Sequence, residues 1–274
     1  MNNFGNTIRK LRVSRRITQE QLAKNLFDRS SLSKIEREKL AASYENQIQL
    51  IRRLGLTPNE FEYICDNYHV SRKNQLLHRF FNLEDSSETD KVEALLDDCI
   101  KYENDNDISR IIKVLQSVLL LNQPRGINQA KKLVQPIWYD YLAKVDLLTI
   151  TDIAILNTIL YAFDYQTAKD IIKRISYEID THYPFKKALR ANIMLNLSSI
   201  QMQQQEFESA VSTLINLKPT LKKLRQYDKL LVANIRISIC EGDKVKALEQ
   251  VNLLHQIDAN RLATALEQEI QEYL

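Results

Sequence analysis

An alanine recurs through the last two hundred residues at a nearly constant interval, each time at the same place in a short segment. The segments are Asp90-Lys-Val-Glu-Ala94-Leu-Leu, Gly126-Ile-Asn-Gln-Ala130-Lys-Lys, Asp164-Tyr-Gln-Thr-Ala168-Lys-Asp, Glu206-Phe-Glu-Ser-Ala210-Val-Ser and Asp243-Lys-Val-Lys-Ala247-Leu-Glu, and their alanines lie 36, 38, 42 and 37 residues apart. A chain that repeats at this length stacks one supersecondary unit on the next, and the period falls between those of the tetratricopeptide and HEAT helix hairpins. A small residue opening the second helix of each hairpin lets two helices approach closely. Punctuation agrees: 4 Gly and 5 Pro in 274 residues are about 3%, against about 12% in average usage. That is too few turn residues for hairpin-rich sandwiches, barrels or glycine-cradled nucleotide folds. The expected class is all-α.

Counting back from Asp164, Glu206 and Asp243 separates two faces of the helix that precedes each alanine. Positions −4, −8 and −11 give Leu160, Leu156 and Ile153, then Met202, Ser198 and Leu195, then Ile239, Ile235 and Val232, a stripe expected to form the core between helices. Positions −3, −7, −10 and −14 give Tyr161, Asn157, Ala154 and Ile150, then Gln203, Ser199, Asn196 and Asn192, then Cys240, Arg236, Ala233 and Lys229. First helices of stacked hairpins line the concave side of a superhelix, so this mixed face is the expected groove wall. Asn side chains spaced along it, each with a donor and an acceptor, suit the backbone of an extended peptide. Asn157, Tyr161, Asn192, Asn196, Ser199, Gln203, Lys229 and Arg236 are the candidate peptide-binding residues. Pro184 and Pro219 are expected to bracket the fourth hairpin, whereas Gly5 and Pro136 have no boundary to mark.

The first 65 residues differ in charge. They hold 12 Lys and Arg against 7 Asp and Glu, a net +5, while residues 66–274 hold 26 against 28. Clustered cations release counterions when they meet phosphates, so the excess points to a nucleic-acid-facing module, residues 1–65, joined to a repeat domain, residues 66–274. Phe4, Ile8 and Leu11 space a first helix, with Arg9, Lys10, Arg12 and Arg15 around it. Thr18 and Gln21 form a capping box for a second, and Ser30 or Ser31 is expected to cap a third, whose Leu32 and Ile35 lie opposite Ser33, Lys34 and Arg37. Two short helices joined by a tight turn, the second polar and basic, meet the requirement for a helix-turn-helix.

Thr18-Gln19-Glu20-Gln21-Leu22-Ala23 followed by Ser31-Leu32-Ser33-Lys34-Ile35-Glu36-Arg37 resembles the Cro/repressor, or Xre, type of helix-turn-helix over residues 4–64, with further helices at 42–54 and 58–64. The resemblance implies that Gln19 touches the sugar-phosphate backbone and that Arg29, Ser30, Ser31, Ser33, Lys34 and Arg37 form the recognition helix and its approach, with Arg15 grouped among the DNA contacts. It also implies a scaffold ion pair between Arg12 and Glu36. Arg16 and Glu38 stand where the type has glycines, so those helix ends are expected to be capped differently.

With five tetratricopeptide-like hairpins and a last helix at 258–273, the whole arrangement resembles the Rgg group of the RRNPP peptide-sensing regulators. What this implies is a homodimeric transcription regulator whose repeat domain binds a short, apolar signalling peptide and whose heads bind double-stranded promoter DNA. Leu253, Leu254, Ile257, Leu262, Leu266 and Ile270 are candidates for the dimer seam or for packing within the last repeat. A protein-interaction adaptor is the alternative reading, and a phosphatase-like switch a third.

Enzyme motifs are missing. Gly5, Gly55, Gly126 and Gly242 cannot make GxSxG, GxGxxG or a P-loop. His69, His78, His182 and His255 form no HExxH or HxH pair, and Cys65, Cys99 and Cys240 form no CxxC, so neither cofactor nor metal is expected. The acidic stretch from Asp97 to Asp107 lacks the glycine of an EF-hand loop. No run of 18 apolar residues appears, and the basic, polar start lacks the apolar stretch of a signal peptide; the expected location is the cytoplasm, away from membranes.

Overall fold

The computed structural model describes residues 3–83 and 89–274. The chain divides into two compact units, Met1–His78 and Arg79–Leu274.

The first unit opens with five helices: α1 (Phe4–Ser14), α2 (Gln19–Ala23), α3 (Arg29–Glu36), α4 (Tyr44–Arg53) and α5 (Pro58–Cys65). Their apolar faces meet around Ile8, Leu22, Leu32, Leu50, Leu54 and Phe61, all buried, each contributing about 1.5–3 kcal/mol of transfer free energy. Caps set the boundaries. Thr18 and Gln21 close the expected capping box. The third helix is capped by Asp28 rather than by Ser30 or Ser31: its carboxylate accepts the Ser31 amide and the Ser31 hydroxyl, both at 2.8 Å. Carboxylate beats hydroxyl there because an ionised acceptor binds amides more strongly and suits the positive helix end.

Arg16 and Glu38 correct the second expectation about helix ends. Their φ angles are 56° and 59°, so the left-handed turns of the glycine-bearing pattern persist with side chains that disfavour them, at roughly 1–2 kcal/mol per residue. Gly5, given no role by the sequence, has one. A Cβ there would lie 2.0 Å from the Ile35 carbonyl oxygen, so its bare Cα lets α1 cross the end of α3.

Helix α6 (Arg72–Phe81) leads into the second unit, which contains α7 (Thr89–Ile100), α8 (Asn106–Leu121), α9 (Ile127–Pro136), a π-helical turn at Ile137–Leu142, α10 (Ile150–Thr158), a 3-10 turn at Leu160–Ala162, α11 (Tyr165–His182), α12 (Lys187–Gln203), α13 (Phe207–Leu224), α14 (Tyr227–Cys240), α15 (Lys244–Gln256) and α16 (Asn260–Tyr273). Each of α8/α9, α10/α11, α12/α13 and α14/α15 is a hairpin of the kind the alanines announced, and α16 packs on α15. Ala130, Ala168, Ala210 and Ala247 are buried. Ala94 is exposed, because α7 buries the stripe Val92, Leu95 and Cys99, and Ala94 lies about 200° around the helix from Val92. The first segment therefore shares the spacing but not the packing.

All nine residues of the expected core stripe, from Ile153 to Ile239, are buried, with Ser198 satisfied by donating to the Leu195 carbonyl at 2.7 Å. Pro219 does not bracket a hairpin; it sits inside α13. The amide it lacks would bond the carbonyl of Ile215, an exposed residue, where water can take the acceptor. Pro136 ends α9 where the π-helical turn begins.

A candidate DNA-reading helix and a groove wall

Helix α3 presents two faces. At roughly 100° per residue, Leu32, Ile35 and Glu36 share the buried side, and Arg29, Ser30, Ser33, Lys34 and Arg37 fall within about 140° on the other. Arg29, Ser30, Lys34 and Arg37 are exposed, and Ser33 is half-buried at the edge. Among the described residues no carboxylate pairs with Arg29, Lys34 or Arg37. Three unpaired cations on one helical face, with Ser33 at its edge, form a donor surface on an element of the width a major groove admits. Ser30 and Ser31 both turn to the Asp28 carboxylate, Ser31 donating its hydroxyl at 2.8 Å. The Ser30 hydroxyl, with the amide and hydroxyl of Ser31, holds the Asp28 carboxyl well below the usual carboxylate range, so the cap stays ionised at any ordinary pH.

Glu36 frames the helix from behind. It accepts from Arg12 Nε at 2.6 Å and Nη2 at 3.0 Å, and from the Gln19 amide at 2.8 Å. Arg12 spends its remaining reach on the Ile17 carbonyl at 2.9 Å, and hydrogen bonding to Glu36 raises its pKa further. The scaffold pair implied by the family pattern is thus present, and it recruits Gln19, whose side-chain amide donates to Glu36. Arg15 is likewise used internally, donating to the Leu54 carbonyl beside Gly55. Arg53, which the sequence did not single out, donates to the Leu22 carbonyl at 2.8 Å and to that of Lys24, closing the end of α2. Of the arginines in this unit, Arg12, Arg15 and Arg53 bond groups on neighbouring elements, whereas Arg29 and Arg37 on α3 make no ion pair or side-chain hydrogen bond among the described residues.

The wall residues of the second unit are also brought together. The Asn196 amide donates to Asn157 Oδ1 at 3.0 Å and to the Asn157 carbonyl at 3.2 Å, joining α12 to α10. Arg236 reaches in two directions: Nη1 to the Leu195 carbonyl on α12 at 3.1 Å, and Nε and Nη2 to Glu269 on α16 at 2.9 and 3.2 Å. One guanidinium thereby spans three consecutive units. Glu269 escaped the sequence reading because nothing local links residues 33 apart on different hairpins.

The other wall positions are less committed. Asn192 Oδ1 is buried with no hydrogen-bond partner among the described residues. The Tyr161 hydroxyl is buried beside Ser117, whose own proton goes to the Val114 carbonyl, and burial pushes its pKa up. Ser199 and Lys229 are half-buried, Lys229 without an ion pair among the described residues, and Gln203 is exposed. Ala154 and Ala233 are buried, so at these two positions the expected wall is covered by neighbouring side chains. Of the dimer-seam candidates, Leu254, Leu266 and Ile270 are buried within the last repeat, whereas Leu253 and Ile257 are 44% and 55% exposed. Among the described residues no helix is long and apolar enough to cross a membrane.

Comparison with known proteins agrees with this geometry. Residues 8–61 match the family described as Helix-turn-helix. No curated protein sequence matches the chain. Among solved structures, a Listeria monocytogenes EGD-e protein assigned as a transcriptional regulator is 20% identical, with 100% of this chain and 97% of that one covered and a TM-score of 0.72. The SHP pheromone receptor Rgg2 of Streptococcus dysgalactiae is 18% identical over 99% and 100%, with a TM-score of 0.67. PlcR of Bacillus thuringiensis, solved with the peptide PapR7 and DNA, is 15% identical over 96% and 99%, also at 0.67. Residues 8–61 are thus a helix-turn-helix domain, and the chain as a whole has the all-helical fold of Rgg2 and PlcR.

Proposed function

We propose that the protein is a sequence-specific transcription regulator whose DNA binding is controlled by a short signalling peptide held along the groove wall of the repeat unit. Residues 1–65 read promoter DNA, and residues 66–274 bind peptide and form a homodimer; the setting is the cytoplasm. The observation that carries the reading is the exposed face of α3: Arg29, Lys34 and Arg37 have no ion-pair partner there among the described residues, while the buried side and the cap of the helix are spent on holding it in place. Rgg2 is a pheromone receptor and PlcR a peptide-bound, DNA-bound protein with the same fold, which supports the peptide half. The Asn157 and Asn196 pair, the unsatisfied Asn192 oxygen and the unpaired Lys229 offer donors and acceptors of the type an extended backbone and an acidic terminus use.

Selection of duplexes from a random pool by the full-length protein tests the DNA half. Enrichment of an inverted repeat with half-sites about one helical turn apart is expected from a two-fold dimer. A pool that stays random after repeated rounds overturns the reading.

A further inference from the structure

Away from the groove wall, the last turns of α13 carry a run of eight residues, Lys218 to Arg225, with four cations and no anion. This run belongs to a unit that is otherwise acidic, since residues 79–274 hold 24 Lys and Arg against 27 Asp and Glu. Among the described residues, Lys218, Lys222, Lys223 and Arg225 make no ion pair and no side-chain hydrogen bond. Lys222, Lys223 and Arg225 are exposed and Lys218 half-buried.

Helix electrostatics do not account for the cluster. A helix C-terminus carries about half a negative charge, enough to favour one of these cations but not four. Asp228, in the first turn of α14, is the nearest acidic residue in the sequence and bonds none of them. Tyr227 follows, 59% exposed. From Ile215 to Tyr227 these two are the exposed large apolar side chains, and between them the surface offers four cations and no anion, which is what a polyanion uses directly.

We infer that the α13 end, with Tyr227, is a second, sequence-independent nucleic-acid contact: a phosphate-binding surface of the repeat unit that adds affinity without adding specificity. The four cations span about 10 Å along the helix axis, and duplex DNA carries a charge every ~1.7 Å of its own axis, so several phosphates fall within reach at once. The choice of DNA as the polyanion rests on the function proposed above.

Its test separates the two. A full-length variant with Arg29→Ala, Lys34→Ala and Arg37→Ala removes the reading face of α3. Binding of this variant to a random-sequence 60-bp duplex is measured by fluorescence anisotropy across 50–200 mM salt, then repeated after adding Lys222→Gln and Lys223→Gln. The expected results are residual, salt-dependent binding by the first variant and a slope of log K against log salt shallower by about 2 in the second, at about 0.9 for each phosphate the protein no longer neutralises. The variant with Lys222→Arg and Lys223→Arg keeps the slope, which excludes a folding artefact. Absence of residual binding, or a slope unchanged by the Gln substitutions, overturns the second contact, the latter also being what an acidic protein partner would give. A wild-type chain that binds like the α3 variant instead counts against the reading face, whatever the lysines do.

Discussion

Replacing Glu36 by Ala tests whether α3 is framed as described. The Glu36 side chain is 2% exposed and accepts three hydrogen bonds, two of them from Arg12, itself only 12% exposed. The substitution strands a guanidinium and the Gln19 amide in a protein interior. Breaking a buried pair by removing one partner costs about 3–5 kcal/mol; Arg12 keeps the Ile17 carbonyl and a little water, which places this site near the lower figure. About 3 kcal/mol is roughly a hundredfold change in an opening equilibrium. Native-state hydrogen exchange of the full-length protein, read on segments from α1, α2 and α3, should show protection falling by about two orders of magnitude, with α12 to α16 unchanged. Adding Arg12→Ala should recover part of the loss, since the stranded charge goes with it. Arg29→Ala, by contrast, should leave exchange within about 0.5 kcal/mol. A change below about fivefold for Glu36→Ala would refute the claim that this network positions the helix.

Other expectations are narrower. Arg16→Gly and Glu38→Gly should each stabilise the first unit by about 1 kcal/mol, because both positions already have positive φ; a fall in thermal stability contradicts this. Ala210→Leu should cost about 1–3 kcal/mol by overpacking a buried contact, and Ala94→Leu close to nothing, in the same denaturation assay. The His255 ring faces Asn260 Oδ1 at 2.8 Å and Glu267 at 3.2 Å, and these two hydrogen bonds, Asn260 first, raise its pKa. Its folded pKa exceeds the unfolded value, so the stability it gives α16 is complete below about pH 6.5 and lost as pH rises through the folded pKa. Exchange of α16 amides should therefore show an extra loss of protection across that window, which His255→Gln abolishes.

The parts of this molecule that were legible in the sequence are those decided within a few residues. Thr18 and Gln21 announce a cap because both halves of the box lie in one turn, and the alanines from Ala130 onward announce hairpins because each is buried at the same place in its hairpin. Legibility failed where several residues could do one job: Asp28, Ser30 and Ser31 all can cap, and only the fold shows that the carboxylate does. It failed again where a partner comes from far along the chain. Nothing local to Gln19, Arg15 or Arg236 announces the partners they meet in the fold, which are Glu36, the Leu54 carbonyl and Glu269. Pro219 misled for another reason, since it sits inside α13 on a side where the carbonyl it orphans, that of Ile215, is open to water. The exposed face of α3 was readable because exposure and charge needed no partner to be recognised.

That face carries the account, and its charge can be measured. On the duplex that emerges from selection, the wild-type chain should lose affinity steeply with salt and prefer that duplex to a scrambled one. Removing Arg29, Lys34 and Arg37 together should abolish the preference and make the slope of log K against log salt shallower by up to about 2.7, at about 0.9 for each of the three that meets a phosphate. Equal slopes and an intact preference in the triple variant would contradict the assignment of α3 as the helix that reads DNA.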